Sequence, residues 1–413
     1  MLNKIYFLLC LVIKLTKVTA TLKKYHQLRR DVIKYLYFHK SLTITELSKL
    51  IHKSVPIVTS AITDLITDGY VLESAVSKST GGRRAVMYLL NPDKKRFMVA
   101  VAMDQLVTRV VVYDLLNNVQ VKREELSFTL TDNAEDIQIL LNFLKDYLKR
   151  ADLPVEQILG IGIGMPGFIN TKQGINYTFF KLKNNGSLRN YLSKELGLPV
   201  FIDNDSSLTA LAELRFGAGQ NLKEVMVVNV GWGSGLGMVI NGSLFRGHSG
   251  FAGEFSHIPL SQSNKLCSCG KRGCLEVDTS LLVLVERAQQ KIAEGVNSKL
   301  ETLFKDTSKL PGDHFLEAAR DGDPLAVSVL SEAAFLIGKG IATLIHIMNP
   351  ELIVVAGRGA VAGRILMAPI QQAMNEFCIS RIAEQTTIVV SKLADAAELL
   401  GAAILVVENC QFE

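Results

Sequence analysis

Three cysteines fall within eight positions, at Cys267, Cys269 and Cys274, and His257 lies ten positions before the first of them. Three thiolates and one imidazole make a complete ligand set for a tetrahedral structural zinc. Gly270 and Gly273 stand between the thiols, and glycine lets a backbone turn sharply enough to bring all three to one ion. The competing reading is a loop of unlinked thiols or a redox pair. A closed shell would tie the stretch from His257 to Cys274 into a knot to which the neighbouring elements must conform. Glu254 precedes the histidine by three positions and Glu276 follows the last cysteine by two. With the metal in place both carboxylates are held near one spot, where they can accept hydrogen bonds from the hydroxyls of a sugar. Without it they are two surface glutamates.

A chain of 413 residues, 48% hydrophobic and 21% charged, is long enough for two or three globular domains. Cys10, Cys378 and Cys410 are scattered without disulfide spacing, which suits a reducing, cytoplasmic compartment. The apolar run from Ile5 to Ile13 is too short to span a bilayer. Lys4 before it and Val18-Thr19-Ala20 after it imitate an export signal, but a basic domain follows directly, so residues 1–21 are read as an uncertain N-terminal extension. The net charge of +5 is unevenly placed. Residues 1–95 hold 16 Lys and Arg against 6 Asp and Glu, a net of +10, and the remainder is at −5. A basic head on a mildly acidic body points to a polyanionic partner for the head.

Residues 22–92 read as that head. Leu28, Val32, Ile33, Leu36 and Tyr37 recur at helical spacing. Thr43 and Glu46 form a capping box for a second helix. Ser54 caps a third, with Pro56 in its first turn and Val58, Ile62, Leu65 and Ile66 turned inward. Ser54, Thr59, Ser60 and Thr63 are left outward, small polar groups able to approach phosphates and base edges in a major groove. Tyr70–Leu72 and Val86–Leu90 then form a hairpin whose tip carries Gly81-Gly82-Arg83-Arg84. Paired arginines on a glycine-rich tip suit phosphate or minor-groove contact. The pattern is a winged helix-turn-helix DNA-binding domain; the alternative is a winged helix that binds protein.

Residues 97–413 read as an α/β body. Three Val-rich runs (97–102, 108–113, 121–127) form a meander, followed by a helix over 133–149, a strand over 158–163, a helix over 188–196 and a strand over 200–202. Strands over 225–230, 237–240 and 243–245, a helix over 324–347, a strand over 352–356, a helix over 360–376 and a last strand and helix repeat the theme. This order is that of a two-lobed actin-like (ribonuclease H-like) fold. One lobe takes about 97–205 with the C-terminal helix 394–408, the other about 206–393, and ligands are expected in the cleft between them. Asp203-Asn204-Asp205 stands at a strand end, where Asp203 reads equally as a ligand group or as a cap on the following helix and Asp205 can take a proton from a hydroxyl.

The cysteine segment resembles the signature of the ROK family (repressors, open reading frames and sugar kinases). Cys267-Ser268-Cys269-Gly270-Lys271-Arg272-Gly273-Cys274-Leu275-Glu276 matches the family's Cys-x-Cys-Gly-x-x-Gly-Cys-x-Glu at every fixed position. The preceding Glu-x-Gly-His departs only at Ser256, where glycine is usual. The resemblance covers about 97–413, and the head is similar to that of the family's repressors. It implies a structural Zn2+ on His257, Cys267, Cys269 and Cys274. It implies a sugar or sugar phosphate bound by Gly167, Asn204, Asp205, Glu254, His257 and Glu276. Asp205 is the catalytic base only if the protein is a kinase. Gly233, Gly235 and Gly357 fall where the family binds nucleotide. The kinases' first phosphate loop, Asp-x-Gly-Gly-Thr, is replaced by Ala102-Met103-Asp104-Gln105-Leu106, or in another register Asp104-Gln105-Leu106-Val107-Thr108, so ATP and Mg2+ are not expected. Tyr177–Leu182 departs from the family's Asn-Leu pattern. The resemblance thus implies a sugar-responsive repressor of carbohydrate genes, acting on operator DNA as a homodimer or homotetramer. An ATP-dependent sugar kinase with an added head is the alternative. A protein partner from sugar transport is a third possibility.

Overall fold

The computed structural model describes residues 22–74, 85–131, 133 and 135–412. The N-terminal extension and the arginine-bearing wing tip expected from the sequence lie outside the described residues.

The head begins with a helix over 22–39 that buries Val32, Ile33, Leu36 and Tyr37. The second helix, Ile44–Ile51, opens with the expected capping box. The Thr43 hydroxyl accepts from the Glu46 N–H, and the Glu46 carboxylate accepts from the Thr43 N–H at 2.8 Å. These bonds satisfy two otherwise unpaired donors, and the Thr43 N–H holds the Glu46 carboxyl below its usual range. The third helix, Val55–Thr67, has Pro56 in its first turn and buries Val58, Ala61, Ile62 and Leu65. The hairpin Val71–Ser74 and Met87–Leu90 gains a third strand, Ser41–Leu42, which pairs antiparallel with Met87–Leu90. Two residues carry no periodicity, so this strand was not legible. Three helices against a three-stranded antiparallel sheet fit a winged helix.

The body is one topological unit used twice. The first sheet runs Val119–Ser127, Val107–Asp114, Phe97–Met103, Ile158–Met165, Val200–Asn204. The second runs Ser243–Leu244, Ser234–Ile240, Val225–Val230, Leu352–Ala356, Thr387–Val390. In each, an antiparallel meander is extended by two parallel strands, the actin-like order. Phe97–Met103 and Ile158–Met165 are buried at every position because both faces of the sheet are covered. The edge strand Val119–Ser127 instead carries Lys122, Arg123, Glu124 and Glu125, charges that oppose edge-to-edge pairing. The expected strand over 237–240 starts earlier, at Ser234, so Gly235, expected on the nucleotide side, lies in sheet. Leu281–Ala293 and Pro311–Arg320 are helices in a stretch for which the sequence raised no expectation.

Two helices link lobes and head. Asp205–Phe216 lies on the second sheet, so closely that a Cβ on Gly237 would stand 2.3 Å from Ala210 Cβ. Ala396–Asn409 lies on the first sheet and crosses Asp205–Phe216 at Gly401, where a Cβ would stand 2.2 Å from the Leu208 carbonyl oxygen. Their far ends meet the head. Phe216 packs edge-on against Tyr37 and Phe38, and Arg215 lies over the Phe38 ring at 4.6 Å. Phe412 packs on Tyr70, and Tyr37 donates to the Asn117 side chain at 2.5 Å. Head and body residues belong to one continuous apolar cluster built around the C-terminal helix.

Candidate functional site

A cavity of about 250 Å³ opens between the lobes. Gly167, Asn204, Asp205, Glu254, His257 and Glu276, dispersed over more than 100 positions in sequence, all line it. Gly167 follows the strand Ile158–Met165 with φ +100°, and a Cβ there would stand 2.7 Å from Thr178 Cβ. Buried Asn176 braces this turn: its amide donates to the Pro166 carbonyl at 3.0 Å and its oxygen accepts from the Thr178 and Phe179 N–H groups.

Asn204, and not Asp203, caps the helix Asp205–Phe216. Its side-chain oxygen accepts from the Ser206 and Ser207 N–H groups, and its amide points to the Gly167 carbonyl at 3.4 Å. The expected cap failed by one residue because the strand runs through Asn204. Asp203 is instead buried and gripped by both terminal guanidinium nitrogens of Arg246, which comes from the other lobe. Arg246 was missed, since a lone arginine in a loop carries no sequence signal. Asp205 opens the helix with its carboxyl pushed up to about 7, by burial first and then by Glu398, against the lowering bonds from Ser206. A carboxyl so placed can hold or release a proton near neutrality.

The cysteine segment folds as a tight knuckle. The Cys267 N–H donates to the Lys271 carbonyl, and Gly270 and Gly273 take φ of +82° and +78°, which explains both glycines. His257 Nδ1 lies 3.6 Å from Cys267 Sγ, Cys269 Sγ lies 3.6 Å from Cys274 Sγ, and all four ligand atoms are within 4.8 Å of one another. A tetrahedral zinc with Zn–S of about 2.3 Å spaces its sulfurs by about 3.8 Å, so the donors fit that ion. Zinc here would supply a cross-link that fixes His257 and Glu276 in place. The Nδ1 side of His257 faces the thiols, and Nε2 lies 3.9 Å from the Glu254 carboxylate. Crowding in the cleft, and then Glu276, push the Glu254 carboxyl up to about 7. Burial also raises Glu276, opposed by His257. Two carboxyls held above their usual range, side by side in the cleft, offer donors as well as acceptors to a polyol.

The nucleotide side is built differently. Asp104 ends the strand Phe97–Met103 and accepts from the Leu106 and Val107 N–H groups, closing the loop on itself. The same carboxylate takes the Arg358 guanidinium at 2.9 Å; Arg358 also reaches Asp313 at 2.9 Å and lies over the Trp232 ring. Arg358 thus sits as a cation where the lobes meet, a role hidden in sequence between two glycines. Gly235 and Gly357 are required by packing: a Cβ would stand 2.1 Å from Ser206 Oγ and 2.1 Å from Asn229 Oδ1 respectively. A Cβ on Gly233 would lie 2.8 Å from Glu276 Oε1.

On the head, Ser54, Ser60 and Thr63 are exposed and Thr59 is half-buried. Thr59 and Thr63 donate to the carbonyls of Val55 and Thr59, one helical turn back. Val55 and Ile57 are also exposed near the start of this helix. Arg83 and Arg84 lie outside the described residues.

A family model described as the ROK family matches residues 107–409. The xylose repressor of Caldicellulosiruptor bescii is 29% identical over 381 residues, covering 92% of this chain and 94% of that protein. The glucokinase of Halalkalibacterium halodurans is 34% identical over 251 residues, but these cover only 60% of this chain and 76% of that protein. Among solved structures, a ROK family transcriptional regulator, a homologue of the Escherichia coli MLC protein, superposes with a TM-score of 0.74 at 26% identity. That match covers 92% of this chain and 96% of the other.

Proposed function

Since this chain belongs to the ROK family, we propose that it is a sugar-responsive transcriptional repressor whose head binds operator DNA and whose cleft binds the effector. The observation that carries this reading is the union of head and cleft. Asp205–Phe216 starts at the candidate sugar site and ends against Tyr37 and Phe38 of the head. Ala396–Asn409 starts beside Glu398 at the cleft and ends among head residues. The likeness to a repressor over 92% of the chain agrees with it. Gly167, Asn204, Asp205, Glu254, His257 and Glu276 hold the sugar, and zinc on His257 and the three cysteines keeps the last two carboxylates aligned. A sugar bridging the lobes favours one closure angle, and the two helices pass that choice to the heads of a dimer or tetramer. The Asp104–Arg358–Asp313 contacts support a body that works without ATP, because a cation already neutralises the carboxylates at the lobe junction.

One test is operator binding at fixed salt, with and without a panel of sugars and sugar phosphates. One ligand should change the affinity by five- to hundredfold, the ordinary range of allosteric coupling at about 1–3 kcal/mol. Specific DNA binding that no sugar alters would refute the effector role, and absence of specific DNA binding would refute the head's. The second reading, a sugar kinase, draws on the Asp205 carboxyl near 7. ATP-dependent phosphorylation of a hexose, abolished by Asp205→Asn, would establish it.

A further inference from the structure

Beyond the six candidate sugar contacts, the cleft carries an aromatic strip. The Phe168 ring lies nearly parallel to the His257 imidazole, 6.1 Å between centroids at 21°. Phe251 meets Phe168 edge-on at 6.0 Å, and Tyr177 meets Phe251 at 6.1 Å. Phe168 and Tyr177 come from the first lobe, Phe251 and His257 from the second, so the strip crosses the cleft. Phe168 and Phe251 line the cavity. Tyr177 stands past its rim, 39% exposed, its hydroxyl bonded to Gln173 at 3.1 Å.

We propose that this strip is a second subsite and that the effector is a disaccharide or longer oligosaccharide, with one ring among Asp205, Glu254 and Glu276 and the next over Phe251 and Tyr177. The proposal rests on the reading of the cleft as a sugar site. Pyranose rings present C–H faces that pack on aromatic faces, while their equatorial hydroxyls point sideways to polar groups. The inner site has the opposite composition: carboxylates, an imidazole and an amide clustered round one ring. A contact that served only to close the lobes would bury its aromatics, yet none of the four rings is buried: Phe168, Phe251 and His257 are half-buried and Tyr177 is exposed. Large apolar groups left open beside a polar pocket are the usual make-up of a ligand site. The departure from the family's Asn-Leu pattern at Tyr177–Leu182 is then a change of specificity.

The test is calorimetric titration of the zinc-loaded full chain with xylose, glucose and N-acetylglucosamine and with the α-1,4- and β-1,4-linked dimers of each. One dimer should bind roughly tenfold more tightly than its monomer, about 1.4 kcal/mol, the scale of one or two aromatic contacts. Tyr177→Ala, at an exposed position, should remove about fivefold of that preference and leave the monosaccharide affinity unchanged, and Tyr177→Phe should restore it. Equal affinity for monomer and dimer, or a Tyr177→Ala loss shared by both, overturns the subsite while leaving the repressor reading intact. No binding of any sugar overturns the subsite and the sugar-effector reading together.

Discussion

Cys269 and Cys274 offer two thiol donors 3.6 Å apart in a loop turned by two left-handed glycines. Cys274→Ser should therefore reduce bound zinc from one per chain to well below one, read by atomic emission, and lower Tm by several degrees, because metal-binding energy is folding energy here. Asp205 makes a pH-dependent contribution. Its carboxyl titrates at about 7 in the folded chain, against about 4 in an unfolded one. The folded state therefore binds the extra proton between those values, and stability present at low pH is lost as pH rises through 7. Asp205→Asn, which imitates the protonated acid, should raise Tm at pH 8 and lose that advantage as pH falls toward 4. His257, Cys267, Cys269 and Cys274, the donors of the candidate metal site, were legible one by one from their spacing. Arg246 and Arg358 were not, because each acts through a carboxylate 43 or 254 positions away.

Gly401 in the C-terminal helix and Gly242 in the turn after Ser234–Ile240 are glycine for different reasons. Gly401 has ordinary φ and no room, since a Cβ would meet the Leu208 backbone, whereas Gly242 has φ +70° and nothing within 4 Å. Gly401→Ala should cost about 1–3 kcal/mol in urea unfolding, through overpacking of two crossing helices. Gly242→Ala should cost about 1 kcal/mol, through backbone strain alone. Most strands were legible as short Val-rich apolar runs, and the longer helices by their period of 3.6. In the helix Asp136–Ala151, Tyr147 is fully buried beside Leu140, Leu141 and Leu144. Its hydroxyl finds the Val121 and Lys122 carbonyls, a partner no periodicity reveals. Gly233 and Gly235 carried no signal telling a nucleotide role from packing, because glycine has the same letter whether it admits a phosphate or a neighbouring helix.

In the molecule as a whole, the cleft and the head are separated by the length of one helix, 12 residues from Asp205 to Phe216, or about 18 Å. If that helix carries the signal, Phe216→Ala should leave sugar affinity within about twofold while cutting the sugar's effect on operator affinity by about fivefold, a loss of ~1 kcal/mol of coupling. Equal coupling in wild type and variant would place the path elsewhere, through the C-terminal helix. By itself the sequence determined the cluster of His257 and three cysteines, the basic head and the duplicated α/β order, because each is written in short-range spacing, local charge or hydrophobic period. Only the tertiary structure decided that Asp203 faces Arg246, that Arg358 occupies the lobe junction and that Phe168, Phe251 and Tyr177 form one strip. Those pairings join chain segments far apart in sequence, and their energy depends on distances that exist only once two sheets, packed on two crossing helices, have closed on each other.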